Sequence, residues 1–207
     1  MEEITFFYNP GLMTVIWSII FISDWLMNYN GAKLYYKHVR KHLVYEEGDN
    51  LRHIGMEELS NPGRLFLRFI SELLISSICI WLLLYNCQLY SSAQFYEIFC
   101  GFFILLEACV HFRHLGNVAL FTSFKSSNGI TGTITLPKWV AMRTASVDYA
   151  IFASAFLIIF FINKTDFVFG GGISCAIVAL VNFILAFIAK LKYGHTPTHM
   201  QLSNQGE

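Results

Sequence analysis

Five apolar runs separated by polar stretches organise this 207-residue chain. A membrane-spanning helix needs about 20 consecutive, mostly apolar residues. Runs of that length occupy about residues 10–30, 64–86, 95–115, 139–163 and 173–191. Pro10-Gly11 opens the first, which only Asp24 interrupts. The linker over 31–63 begins as a basic helical extension (Lys33, Lys37, His38, Arg40, Lys41, His42). After Tyr45 it becomes mixed in charge, where a short surface helix fits. Asn61-Pro62 is a helix-start signal, an N-cap residue followed by proline at the first helical position, so the second span follows it.

Cys87–Gln94 reads as a short uncharged loop. The third span can run on beyond Leu115, because Val118–Phe124 is still apolar. Lys125–Lys138 holds the turn cluster Ser126-Ser127-Asn128-Gly129 and alternating Thr131, Thr133 and Thr135. It reads as a connecting loop in preference to a re-entrant one, which would need burial in protein. Gly170-Gly171-Gly172 is expected to precede the fifth span, and 194–207 is a polar tail. The expected fold is an all-α integral membrane protein, a bundle of five transmembrane helices in a single domain over 1–193.

Composition supports this reading. Only 14% of residues are charged and 55% are hydrophobic, against about 25% charged in soluble domains. The net charge is zero, and the charges are sorted between loops instead of gathered on one face. That leaves membrane lipids as the expected partner and gives nucleic acid no footing. Cys79, Cys87, Cys100, Cys109 and Cys175 form no C-x-x-C. Cys87 and Cys100 flank one loop and could pair facing an oxidising space, but buried thiols acting as small apolar residues is the favoured reading. Met1-Glu2-Glu3 is acidic where a signal peptide is basic, so the first run is expected to be a retained span.

Basic residues choose the direction. Thirteen of the fourteen Lys and Arg lie on the first linker, on the Lys125–Lys138 loop, on the tail side of the fifth span, or on adjoining helix ends; only Lys164 lies opposite. The positive-inside rule then puts the N-terminus outside and the C-terminus in the cytosol, of a plasma membrane or a prokaryotic inner membrane.

Polar side chains inside the spans carry the candidate chemistry. With about 1.5 Å of rise per residue, Asp24, Glu72, Glu107, Asp148 and Asn182 all fall roughly 9–14 Å below the inner boundary. Asn28 sits one turn from Asp24, Arg68 one turn from Glu72, and Thr144 one turn from Asp148. Four carboxylates in low dielectric need neutralising, and Arg68, Arg113, Arg143 and protonated His111 or His114 are the cations available. Arg68–Glu72 reads as a structural i,i+4 pair and Asn182 as a helix-to-helix hydrogen bond. His38 and His42 read as a solvated face.

Glu107-x3-His111-x2-His114 stands apart. At about 100° per residue these three share a face roughly 60° wide, with Arg113 pointing elsewhere. Neutral imidazoles and an ionised carboxylate suit zinc, iron or manganese; without metal they form a proton relay. No G-x-S-x-G, H-E-x-x-H or P-loop occurs. The first expectation is a cytosol-facing intramembrane site, with a divalent transition metal as its candidate cofactor, acting on a lipid or isoprenoid-like substrate. Glu107, His111 and His114 would be ligands or acid–base groups, Asp24 and Asp148 further ligands or bases, and Arg68 or Arg143 the grip on an anionic head group. The alternatives are a proton- or cation-conducting protein, plausibly a homo-oligomer, and a scaffold whose polar layer only locks its helices.

Overall fold

The computed structural model describes residues 8–45, 56–126 and 132–193. It contains five helices long and apolar enough to cross a membrane, so the chain is a multi-pass integral membrane protein. Helix α1 (Pro10–Leu34) starts where Asn9 accepts a hydrogen bond from the Leu12 amide at 3.1 Å. It continues through a π-helical turn, Tyr35–Val39. A short helix α2 (Met56–Leu59) precedes α3 (Pro62–Tyr90), whose start is capped by Asn61 as expected, with Asn61 Oδ1 accepting from the Arg64 amide at 3.2 Å.

Helix α4 (Ala93–Ser126) is the longest, followed by α5 (Lys138–Asn163) and α6 (Asp166–Tyr193). The expected Cys87–Gln94 loop shrinks to Ser91-Ser92, because uncharged residues on either side continue their helices. Only Lys164 and Thr165 separate α5 from α6. Lys164 takes the left-handed conformation (φ 54°), and its amide donates to the Phe160 carbonyl at 2.7 Å to close α5. The acidic N-terminal residues, His53, the Asn128-Gly129 turn and the polar tail lie outside the described residues.

One expectation about loops gains a detail and another is corrected. The first linker and the Lys125–Lys138 segment meet through a short strand pair. Strands β1 (Leu43–Tyr45) and β2 (Ile134–Leu136) pair in parallel, with the Ile134 amide donating to the His42 carbonyl at 2.7 Å. The alternation around Thr133 and Thr135 is therefore that of a short strand. Gly170-Gly171-Gly172 does not precede the fifth span but lies inside α6, one turn from its start.

Packing explains those glycines. A Cβ on Gly101 of α4 would overlap the backbone carbonyl of Phe167. One on Gly170 would overlap that of Ile98, and one on Gly171 would strike the Leu105 side chain. The backbones of α4 and α6 touch here, a close approach that small residues permit and that drives helix association where lipid removes the hydrophobic incentive. Further along the seam, Cys109 Sγ and Cys175 Sγ are 3.7 Å apart. All five cysteines are free thiols, so the possible Cys87–Cys100 link is not formed.

Laterally the helices pack in the order α3, α1, α4, α6, α5, and α4 touches α5 only slightly. Ser18 and Ser77 hydroxyls, 3.0 Å apart, join α1 to α3, and Ser146 Oγ donates to the Ala179 carbonyl at 2.8 Å to join α5 to α6. Met13, Trp17, Ile80, Leu84, Tyr96, Cys100 and Ile104 form an apolar core in the half remote from the basic loops. Residues such as Ile19, Leu67 and Ile162, exposed by 60–74%, face outward as lipid-facing positions.

Gly101→Ala forces a methyl group into the Phe167 carbonyl. Overpacking of that kind costs about 2 kcal/mol, which should lower the melting temperature in detergent by roughly 4–8 °C. Gly116→Ala, where an added carbon meets nothing within 4 Å, should melt at or above wild type because alanine is the better helix former. Equal melting of the two variants would remove the α4–α6 contact as a determinant of stability.

Candidate functional site

Neighbouring residues on a helix point about 100° apart, and Arg113 and His114 use that angle to reach opposite neighbours of α4. His114 Nδ1 lies 2.7 Å from Asp24 Oδ1 of α1. Arg113 Nε donates to Asp148 Oδ2 of α5 at 3.1 Å. The expected polar layer thus exists for Asp24 and Asp148, and it is organised by α4. On α4 it is level with residues 113 and 114 instead of 107, and it lies deeper below the basic helix ends than expected. The reason is length: α4 runs to Ser126, eleven residues beyond the estimated end at Leu115, and the helix of Asp24 runs on to Val39.

The other members of the expected layer lie elsewhere. Glu72 accepts from Arg68 Nε at 2.8 Å, and Arg68 also pairs with Glu58 of α2. Arg68 is therefore committed to a local network at the start of α3 and is not placed as a head-group anchor. Asn182 donates to the Val178 carbonyl of its own helix at 2.9 Å, so it makes that bond within α6 where a cross-helix bond was expected. The reason is geometric: one turn back, the i−4 carbonyl is the nearest acceptor in a helix. Asn28 is half-buried on α1 and Arg143 is exposed on α5.

Glu107 and His111 are both half-buried. Glu107 lies about two turns along α4 from the layer, and Asp24 is close enough for its charge to bear on it. His111 Nδ1 is buried without a hydrogen-bond partner among the described residues. Among those residues no three His, Cys, Asp or Glu side chains converge as a metal-ligating group. The shared helical face of Glu107, His111 and His114 is real, but the imidazole of His114 is turned to Asp24.

Beside the Arg113–Asp148 pair lies a hollow of about 350 Å³ that sequence reasoning did not anticipate. Helix α4 contributes Phe112, Arg113, Gly116 and Asn117; α5 contributes Asp148, Ile151 and Phe152. Two features open it. Helix α6 holds α5 away from α4, and Gly116 brings no side chain to fill the gap. The Arg113 guanidinium sits 4.9 Å over the Tyr149 ring, which fixes its plane against the hollow's wall. The signal in the sequence was Gly116-Asn117, a small and a polar residue one turn beyond Phe112 in an apolar helix.

Asp24 is only 8% exposed, so its carboxylate depends on His114. His114→Ala should cost about 2–3 kcal/mol, the penalty for a buried charged acceptor left without its donor. Adding Asp24→Asn should restore at least half of the lost melting temperature, because the stranded charge is gone. A double variant that melts no higher than His114→Ala would show that the two residues are not coupled.

None of the protein-family models, curated proteins or solved structures compared with the chain matches it.

Proposed function

We propose that the protein binds a lipid or isoprenoid-like amphiphile in the groove between α4 and α5, with the basic end of the bundle in the cytosol. The observation that carries this reading is a half-exposed ion pair, Arg113–Asp148, set in the wall of an otherwise apolar hollow that opens between two membrane-spanning helices. A charged pair in a bilayer is costly and by default marks a site. Its flanks are Phe112, Ile151 and Phe152, which match hydrocarbon, while Arg113, Asp148 and Asn117 match a polar head. The volume of about 350 Å³ lies at the small end of ligand sites. It suits a head group with the first part of its chains, the remainder lying in the bilayer.

This reading revises the anchor from Arg68 or Arg143 to Arg113. Conduction is less well supported, because the apolar core around Trp17, Leu84 and Tyr96 fills the half of the bundle remote from the layer. A purely structural lock gives no role to the exposed edges that the pair turns to the hollow. The cytosolic side follows from the thirteen-to-one sorting of Lys and Arg; a C-terminal reporter protected from external protease in intact cells would support it, and digestion would overturn it.

Gly116→Trp fills the groove without removing either member of the ion pair. Lipid retained through detergent purification, measured by mass spectrometry, should fall from about one equivalent to a tenth of that or less, roughly the effect of 1.4 kcal/mol, at an unchanged melting temperature. Retention equal to wild type would overturn the groove as the binding site.

A further inference from the structure

The Arg113–Asp148 pair also constrains the charge of what binds. We infer that the groove takes a zwitterionic head group, a phosphate ester and an ammonium joined by a short linker, as in phosphoethanolamine and phosphocholine lipids. The inference rests on the groove reading above and adds the ligand's class.

The charge balance of the wall comes first. Arg113 and Asp148 are the charged residues lining the hollow, one of each sign, and the remaining lining groups are neutral. Arg68 is engaged by Glu58 and Glu72, His114 and Asp24 pair across α4 from the groove, and Arg143 is not among the lining residues. A purely anionic head group on the free edge of Arg113 would share its single positive charge with Asp148 and leave net negative charge in a low-dielectric wall. A purely cationic one on the free edge of Asp148 would leave net positive charge there in the same way. Either imbalance is costly. A zwitterion leaves neither charge stranded, because its phosphate takes the guanidinium and its ammonium takes the carboxylate.

The geometry leaves room for that exchange. Asp148 engages Arg113 through Oδ2 and Nε alone, a single bond from a guanidinium that offers five donors in a fork suited to phosphate. The Asp148 side chain is 39% exposed and that of Arg113 27%, so both present unengaged edges. Tyr149 already holds the guanidinium face, and two aromatic residues, the type of side chain that attracts an ammonium, line the same hollow, Phe112 and Phe152. A membrane lipid is favoured over a soluble phosphoammonium compound because the groove is flanked by Ile151 (62% exposed) and Phe112 (59% exposed), which continue its apolar wall outward.

The test uses the full-length protein in detergent, offered four lipids with identical dioleoyl tails: phosphatidylethanolamine, phosphatidylcholine, phosphatidylglycerol and the head-group-free diacylglycerol. Lipid bound after gel filtration is counted by native mass spectrometry. At least one zwitterionic lipid should be retained about ten-fold better than the anionic lipid and the diacylglycerol. That preference should collapse in Arg113→Gln/Asp148→Asn, a neutral pair that keeps a hydrogen bond between the two helices. Phosphatidylglycerol bound as well or better would overturn the inference in favour of an anion site. Diacylglycerol bound equally would overturn head-group recognition while leaving the groove reading intact. Displacement of lipid by an equal concentration of soluble phosphoethanolamine would overturn the lipid as its source. Loss of no lipid in Gly116→Trp would bring down the groove reading itself, whatever the ranking of head groups.

Discussion

Where Gly101 of α4 meets Phe167 and Gly170 of α6, two helix backbones touch with no side chain between them. Lipid chains are as apolar as leucine, so burying one apolar helix face against another gains little by itself in a membrane. Close van der Waals contact is what remains, and glycine is the residue that allows it. The seam then continues through Gly171 against Leu105 and Cys175 against Cys109. Because α6 occupies this face of α4, α5 packs against α6, with Gly172 against Leu157 and Ser146 bonded to Ala179. The consequence appears at the level of Arg113, where α5 stands off from α4 and a hollow opens. The groove is the geometric remainder of a contact made elsewhere.

Charge completes the arrangement. Residues 113 and 114 bring a guanidinium and an imidazole into the bundle on one long helix, and the helices on either side each offer a single aspartate. The pairs Asp24–His114 and Arg113–Asp148 tie α1 and α5 to α4 at one height, within about one residue's rise. Cross-membrane order is thereby coupled to lateral order. A slide of α1 or α5 by one turn would separate donor from acceptor by about 5.4 Å and leave a charge unpaired in low dielectric. The parallel pairing of β1 with β2 adds a second tie at the same end, between the chain leaving α1 and the chain entering α5.

Much of this was legible in the sequence. Five spans follow from run length and composition, and the Asn61-Pro62 start from capping chemistry; the depths counted for Asp24 and Glu107 do not hold, because their helices run on to Val39 and Ser126. Two kinds of feature were not legible. Gly170–Gly172 resembled a loop because a glycine triplet is read locally as a breaker, whereas its cause is the backbone of α4, about 70 residues away in the chain. Likewise, Arg113 was identified as a possible counter-charge, but its partner depends on which helices are neighbours. Hydropathy along one dimension carries no such information. The groove shares this limit, since it requires knowing that α4 and α5 touch only slightly.

The two aspartates of the layer share a chemistry and differ in surroundings, and the difference separates structure from function. Asp24 is 8% exposed and its imidazole partner lies at 2.7 Å. Nothing can approach that carboxylate without dismantling the α1–α4 interface, so its role is to hold two helices in register. The Asp148 side chain is 39% exposed and its partner lies at 3.1 Å, on a hollow with room for a ligand. If locking were its only task, enclosure would serve it better, since enclosure keeps competing groups away from the pair. An ion pair left open on one side is weaker as a lock and better as a receptor. The bundle keeps both versions at the same height of the same helix.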